Sequence, residues 1–114
     1  MNDFFEITGY AQEGDLHIFS IKINSKHPVF EGHFPGNPVV PGVMSMMIVR
    51  QCAEKITKRE TRFENISQCK YHNVIIPDGK TLTVKLSVDE ALTLKGEISD
   101  NEGTPLLTIK GSLI

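Results

Sequence analysis

The sequence lacks several features that would assign a protein to a large functional class. No apolar run approaches the roughly 20 residues that a membrane-spanning helix needs. No basic start is followed by an apolar leader segment. The 12 lysines and arginines are scattered and slightly outnumbered by 14 acidic residues, which argues against nucleic acid or an anionic membrane as the main partner. We therefore expect a soluble, cytoplasmic protein.

Cysteines and metal ligands are also scarce. The two cysteines, Cys52 and Cys69, include no CxxC pair, and we interpret them as buried free thiols. No Ser-His-Asp arrangement and no metal-ligand spacing occurs. The sequence therefore predicts neither a metal site nor a bound cofactor.

The length of 114 residues predicts one domain, residues 1–114, with a modest core that association with a second copy would enlarge. Alternating or apolar runs predict strands, and turn residues such as Glu13-Gly14-Asp15 separate them. Gly96 is expected to mark a bulge or twist point. The predicted strands are Phe4 to Gln12, Asp15 to Asn24, Gln68 to Ile76, Thr81 to Val88, and two runs around Leu92 to Ile98 and Leu107 to Leu113.

A single helix is predicted to start at Pro41 or Gly42 and to run to about Arg59. Its first half, Val43 to Val49, is apolar nearly all round, which predicts burial on every side. Strands before and after one such helix indicate an α+β fold, in which an antiparallel sheet of about five to six strands wraps around the helix.

The segment before the helix, Lys26 to Gly42, is rich in proline and glycine and carries His33. A helix N-terminus offers unpaired N–H groups, and Gly42 has no side chain to block a carbonyl oxygen from them. An imidazole fixed on the same loop can move a proton near neutral pH. Together these groups suit proton abstraction α to a carbonyl. Without other information, a lone loop histidine is more often a packing or capping residue.

Residues 32–43, GHFPGNPVVPGV, resemble the GHFPGxPxxPGV signature of the β-hydroxyacyl-acyl-carrier-protein dehydratases, which have the hotdog fold. Residues 24–30 and 74–79 are also similar to that family. The resemblance implies a dimeric hydro-lyase of fatty acid or related lipid or polyketide metabolism. Its substrate would be carried on the phosphopantetheine of acyl carrier protein or on coenzyme A.

In the family, a histidine removes the α-proton of a 3-hydroxyacyl thioester, and a Glu or Asp on the central helix of the other subunit helps the hydroxyl to leave. A backbone N–H at the helix start holds the carbonyl. The resemblance therefore implies His33 as catalytic base. It implies a substrate-binding set of Gly42, Phe34, Met47, Val43 and Gln51.

The family's acid does not match, because the position fourteen residues after His33 holds Met47. Three interpretations remain open. The protein dehydrates with His33 alone, at a cost of about 10²–10⁴-fold in rate. Alternatively, it supplies His33 to a mixed dimer whose other subunit supplies the carboxylate. In the third interpretation it hydrolyses acyl thioesters, or binds them without catalysis.

No other residue is a good replacement for the acid. Glu54 lies two turns beyond Met47, about 10 Å along the helix. Glu31 is interpreted as solvated, and Ser45 as a hydrogen-bonding residue of the helix start. Met44, Met46 and Met47 are either flexible core residues or the wall of an acyl tunnel, with Met47 the preferred wall residue.

Overall fold

The computed structural model describes residues 3–31, 36 and 38–114. They form six strands, one short 3₁₀ turn (Pro28–Phe30) and one α-helix, in the order strand, strand, helix and four strands. The elements are β1 (Phe5–Glu13), β2 (Leu16–Ile23), α1 (Gly42–Thr57), β3 (Phe63–Tyr71), β4 (Leu82–Val88), β5 (Thr93–Ser99) and β6 (Pro105–Leu113).

The strands form one sheet in the order β1-β2-β4-β5-β6-β3, and every neighbouring pair is antiparallel. β1 and β3 are therefore its two edges. Helix α1 packs against β4 and β5, the two central strands. The predicted α+β fold, with a sheet of five to six strands around one helix, is confirmed.

The core lies between α1 and the inner face of the sheet. The helix contributes residues at three- and four-residue spacing, as one face of an α-helix requires. The sheet contributes every second residue of its central strands. The fully buried residues of this interface are Ile48, Val49, Cys52 and Ala53 from the helix, and Val84, Leu86, Leu94 and Ile98 from the sheet.

The helix begins at Gly42 as predicted, with Pro41 as its N-cap residue. It ends at Thr57, two residues before the predicted Arg59, because Lys58 adopts a left-handed conformation with φ 57°. The N–H of Lys58 donates to the carbonyl of Glu54 at 2.8 Å and closes the last turn.

The prediction that the first half of the helix is buried on every side is wrong. Val43 is 70% exposed, and Met44, Met46 and Met47 are only partly buried. The sheet covers one face of the helix, so the described residues cover these apolar side chains only in part. Among the described residues, Val43 is left open to a partner or a ligand.

The predicted strand Gln68–Ile76 is displaced, since β3 spans Phe63–Tyr71. Beyond β3 the ladder ends, because the N–H groups of His72 and Asn73 both donate to the carbonyl of Leu106. Val74 and Ile76, whose apolar character favoured a strand, are mostly exposed.

Gly96 does not mark a bulge, which was one of the two alternatives expected for it. It pairs regularly with Leu86 and Ile109, and the irregularity of β5 lies between Ile98 and Ser99. A Cβ at position 96 would lie 2.9 Å from Cγ1 of Val49. The missing side chain therefore lets the helix approach the sheet closely.

We expect Gly96→Ala to lower the free energy of unfolding by about 1–3 kcal/mol, because Val49 is fully buried and has no room to move away. Gly9→Ala is the matched control, since a Cβ at position 9 would meet only Ser20 side-chain atoms at 3.5 Å. Chemical denaturation of both variants measures the difference. Equal stability of the two would contradict the close approach of the helix at Gly96.

Candidate functional site

The N-terminus of α1 is the centre of the candidate site. The N–H groups of Met44 and Ser45 donate to the Pro41 carbonyl. None of residues 3–31, 36 and 38–114 accepts a hydrogen bond from the N–H groups of Gly42 and Val43. No acidic residue lies in the first turn, so nothing there competes with a ligand oxygen for the positive end of the helix dipole. This end of the helix can bind a carbonyl oxygen that gains negative charge.

A contact between two loops positions this helix start. The N–H of Val40 donates to the carbonyl of Ile75 at 2.8 Å, and both side chains are buried. The bond joins the segment before the helix to the loop between β3 and β4. The direction of the Gly42 amide therefore depends on the segment before the helix and on the loop between β3 and β4.

Two of the predicted site residues, His33 and Phe34, lie outside the described residues. Their roles, base and substrate contact, stay predictions. The described residues on either side are Glu31, which is exposed in a turn, and Gly36, whose φ is +91°. A positive φ of this kind suits glycine and explains the residue type at position 36.

Gly42 has a neighbour that the sequence did not predict. A Cβ at position 42 would lie 2.9 Å from the hydroxyl oxygen of Tyr71 and 3.1 Å from Cζ of the same ring. Tyr71 is the last residue of β3, which runs back along the sheet edge to the level of the helix start. One side of the candidate carbonyl site is therefore lined by a phenol.

Ser45, buried at the first turn, links these groups. Its hydroxyl donates to the Gly42 carbonyl at 2.6 Å and also interacts with the Tyr71 hydroxyl. The interpretation of Ser45 as a hydrogen-bonding residue of the helix start is confirmed. Burial first, and then the Cys69 thiol, raise the pKa of Tyr71, while Ser45 opposes the shift.

Val43 and Met47 lie on the outer part of the helix. Val43 is 70% exposed, and Met47 is partly buried and packs against the core. At position 47 the site thus presents a thioether, which neither donates nor accepts a transferable proton. An acyl chain along this face would meet apolar atoms.

Gln51 lies one turn beyond Met47 and borders a different feature. It lines a trough of about 1190 Å³ between the second half of α1 and strands β1 and β2, whose apolar wall includes Ile7 and Phe19. The predicted site residues therefore divide into two groups. Gly42 and Val43 form the helix start, whereas Gln51 faces the trough.

Glu54 is held in a structural role. Its Oε2 accepts hydrogen bonds from the Thr61 N–H at 2.8 Å and from Arg50 Nη1 at 3.2 Å. These bonds hold the chain after the helix against its C-terminal half. The exclusion of Glu54 as the missing acid agrees with this placement.

Neither cysteine forms a disulfide. Cys52 is fully buried in the core, whereas Cys69 is only partly buried, so the expectation of two buried thiols holds for Cys52 alone. Burial raises the pKa of the Cys52 thiol to about 12, although Lys55 acts in the opposite direction. At neutral pH Cys52 is therefore a protonated, unreactive thiol.

The described part of the chain contains neither a candidate metal site nor a helix that could span a membrane. No group of three or more His, Cys, Asp or Glu side chains there has the geometry of a metal site. None of its helices combines the length and the apolar character that crossing a membrane requires.

Comparison with known proteins gives a family match over most of the chain. A family model described as ApeI dehydratase, named ApeI-like, matches residues 10–106. The chain belongs to the ApeI-like dehydratase family. The resemblance drawn from residues 32–43 is thereby confirmed.

Curated proteins similar to this chain include 3-hydroxyacyl-[acyl-carrier-protein] dehydratases named FabZ. The FabZ of Caldanaerobacter subterraneus is 31% identical over 85 residues, which are 68% of this chain and 60% of that protein. The FabZ of Latilactobacillus sakei is 29% identical over 107 residues, 88% of this chain and 72% of that protein. For the Caldanaerobacter relative, the chain thus spans about three fifths of the length.

Solved structures agree on the fold. A chain of the dehydratase heterocomplex ApeI:P from Xenorhabdus doucetiae superimposes with a TM-score of 0.80 at 23% identity, covering 95% of this chain and 96% of that one. A hypothetical thioesterase from Streptococcus pneumoniae gives a TM-score of 0.67 at 13% identity, covering 98% and 90%. The hotdog fold is confirmed.

The reactivity of the two thiols tests the difference in burial between Cys52 and Cys69. We expect an alkylating reagent at neutral pH to label Cys69 and to leave Cys52 unmodified in the folded protein. Mass spectrometry of the peptides after a timed reaction measures the two rates. Cys69→Ser should remove the labelling of the native protein, and labelling of both thiols should appear in the wild type only after unfolding. Rapid modification of Cys52 in the native state would contradict its burial.

Proposed function

We propose that the protein dehydrates 3-hydroxyacyl thioesters carried on acyl carrier protein or coenzyme A. The membership of the ApeI-like family and the similarity to FabZ dehydratases support this reaction class. The pathway would be fatty acid synthesis or a related lipid or polyketide route. Catalysis would need no metal and no cofactor beyond the carrier of the substrate.

The observation that carries the proposal is the start of α1, where no described residue accepts a hydrogen bond from the Gly42 N–H. The thioester oxygen would accept a hydrogen bond from the Gly42 N–H, and the helix dipole would favour the negative charge that develops there. His33 would take the α-proton, so that electrons move into the Cα–Cβ bond. The β-hydroxyl would then leave with a proton as water, and a conjugated enoyl thioester would remain.

The proton for the leaving hydroxyl is the step for which this chain lacks the family's residue. Met47 offers no proton, and Glu54 is held by Arg50 and Thr61. In one version of the proposal, the imidazolium of His33 returns its proton to the hydroxyl, directly or through water. Loss of one general acid slows such a reaction by about 10²–10⁴-fold without abolishing it.

A mixed dimer is the second version of the proposal. The outer face of α1, with Val43 70% exposed, is the surface on which a second hotdog subunit would complete the site. The name of the Xenorhabdus doucetiae structure describes a dehydratase heterocomplex, which is a precedent for such pairing in a structure similar to this chain. The other subunit would then supply the carboxylate that Met47 replaces.

We expect His33→Ala to abolish the dehydration of a 3-hydroxyacyl thioester, because the α-proton would have no base. Met47→Glu should raise the rate of the homodimer, with Met46→Glu as the control, since that carboxylate would point about 100° away around the helix. The absorbance of the conjugated enoyl thioester measures turnover, and release of free thiol would instead indicate a thioesterase.

Several results of this assay would contradict the proposal. Thiol release without enoyl product would show that the protein hydrolyses the thioester. Binding without either product would show that the protein binds acyl groups without catalysis. Equal rates for Met47→Glu and Met46→Glu would contradict the placement of the missing acid at position 47.

The mixed dimer makes a separate prediction. Co-expression with a hotdog relative that retains the helix carboxylate should give a heterodimer whose dehydratase rate exceeds the sum of the separate proteins. His33→Ala in this chain should remove that gain, because the imidazole of the mixed site would be lost. A gain that survives His33→Ala would show that this chain does not provide the base.

A further inference from the structure

Tyr71 lies on the inner face of the edge strand β3. In the antiparallel register it stands opposite Leu107, and Cys69 stands opposite Ile109. Directly opposed residues of an antiparallel pair point to the same face of the sheet. Since Leu107 and Ile109 are buried beneath the helix, Tyr71 and Cys69 also face the helix.

The tip of the Tyr71 side chain lies against Gly42, the residue whose amide the proposed reaction uses. Its hydroxyl oxygen lies 2.9 Å from the position that a Cβ on Gly42 would occupy. The Cβ position and the amide nitrogen are substituents of the same Cα, so the hydroxyl lies beside the residue that carries this N–H. The hydroxyl also interacts with the Ser45 side chain, which itself donates to the Gly42 carbonyl.

The surroundings leave the phenol able to donate. Tyr71 is 54% exposed, so a substrate can approach it and the hydroxyl can exchange its hydrogen bonds with Cys69 and Ser45 for one to the thioester oxygen. Partial burial of the hydroxyl and the neighbouring Cys69 raise the pKa of Tyr71, which keeps the phenol protonated throughout the neutral range. At neutral pH the group is a hydrogen-bond donor rather than a base.

We propose that Tyr71 is a second hydrogen-bond donor to the thioester oxygen, beside the N–H of Gly42. This inference rests on the proposed dehydration. As His33 removes the α-proton, negative charge accumulates on the thioester oxygen, and two donors stabilise it better than one. The phenol keeps its own proton, so no covalent bond to Tyr71 forms or breaks.

This role differs from replacing the missing carboxylate. Met47 lies five residues beyond Gly42, about 7.5 Å further along the helix axis. Tyr71 touches the first turn instead, where the carbonyl would bind. It would therefore assist the removal of the α-proton and leave the departure of the hydroxyl to the other groups.

Tyr71→Phe tests the proposal because it removes the hydroxyl and keeps the ring. Tyr10→Phe is the matched control: Tyr10 is the protein's other tyrosine, is 55% exposed, lies on the opposite edge strand and also loses a hydrogen bond, to His17 Nδ1 at 2.6 Å. We expect Tyr71→Phe to lower kcat by about 10²-fold, the loss typical of one oxyanion donor. KM should stay unchanged, and Tyr10→Phe should keep the wild-type kcat.

Infrared spectroscopy gives a readout that a packing role would not change. The C=O stretch of a bound, carbonyl-labelled enoyl thioester should shift to lower frequency in the wild type, and Tyr71→Phe should lose part of that shift. Tyr10→Phe should retain it. Thermal unfolding of both variants separates loss of a donor from loss of stability, and we expect similar Tm values.

Failure of the role of Tyr71 can be distinguished from failure of the proposed function. Turnover in the wild type together with equal kcat and equal C=O shifts for the two phenylalanine variants would overturn the role of Tyr71 alone. A loss of kcat that follows a lowered Tm, with the C=O shift intact, would also overturn it. Absence of both binding and turnover in the wild type, alone and with a carboxylate-bearing partner, would overturn the proposed function and this inference with it.

Discussion

The close packing of one helix against two central strands is the constraint on which the rest of the structure depends. Val49 occupies the space that Gly96 leaves on β5, and Ile48 is buried in the same interface. Burial of each such side chain stabilises the fold by about 1.5–3 kcal/mol. Because this interface fixes the rotation of the helix, it also fixes the direction of the Gly42 amide and the exposed position of Val43. The site is a result of how the core packs.

Much of this architecture could be predicted from the sequence, because the strongest signals are local. The alternation in residues 81–88 reflects a strand with one buried face, and β4 lies there. Pro41-Gly42 marks a helix start because proline fits the beginning of a helix and glycine leaves its amide open. Residues 32–43 predicted the family, although His33 and Phe34 lie outside the described residues and their roles remain predictions.

The remaining features depend on contacts between residues that are distant in the sequence. The position of β3 follows from pairing with β6 across two register shifts, whereas Val74 and Ile76 favoured a later strand. Gly96 was expected to mark a bulge or twist point, because the local pattern does not show its contact with the helix. Tyr71 was missed for the same reason: its approach to Gly42 follows from strand register. The local sequence shows only that Tyr71 follows Cys69 by two residues, which places both side chains on the same face of a strand.

The bond between Val40 and Ile75 couples two loops that are separated by the whole helix and by β3. Substitutions in the loop between β3 and β4 can therefore change the shape of the site at the helix start. Insertions or exchanges among residues 72–81 would tilt the first helical turn while leaving the motif itself untouched. Relatives with identical residues 32–43 could accept acyl groups of different shape, and the explanation would lie outside the motif.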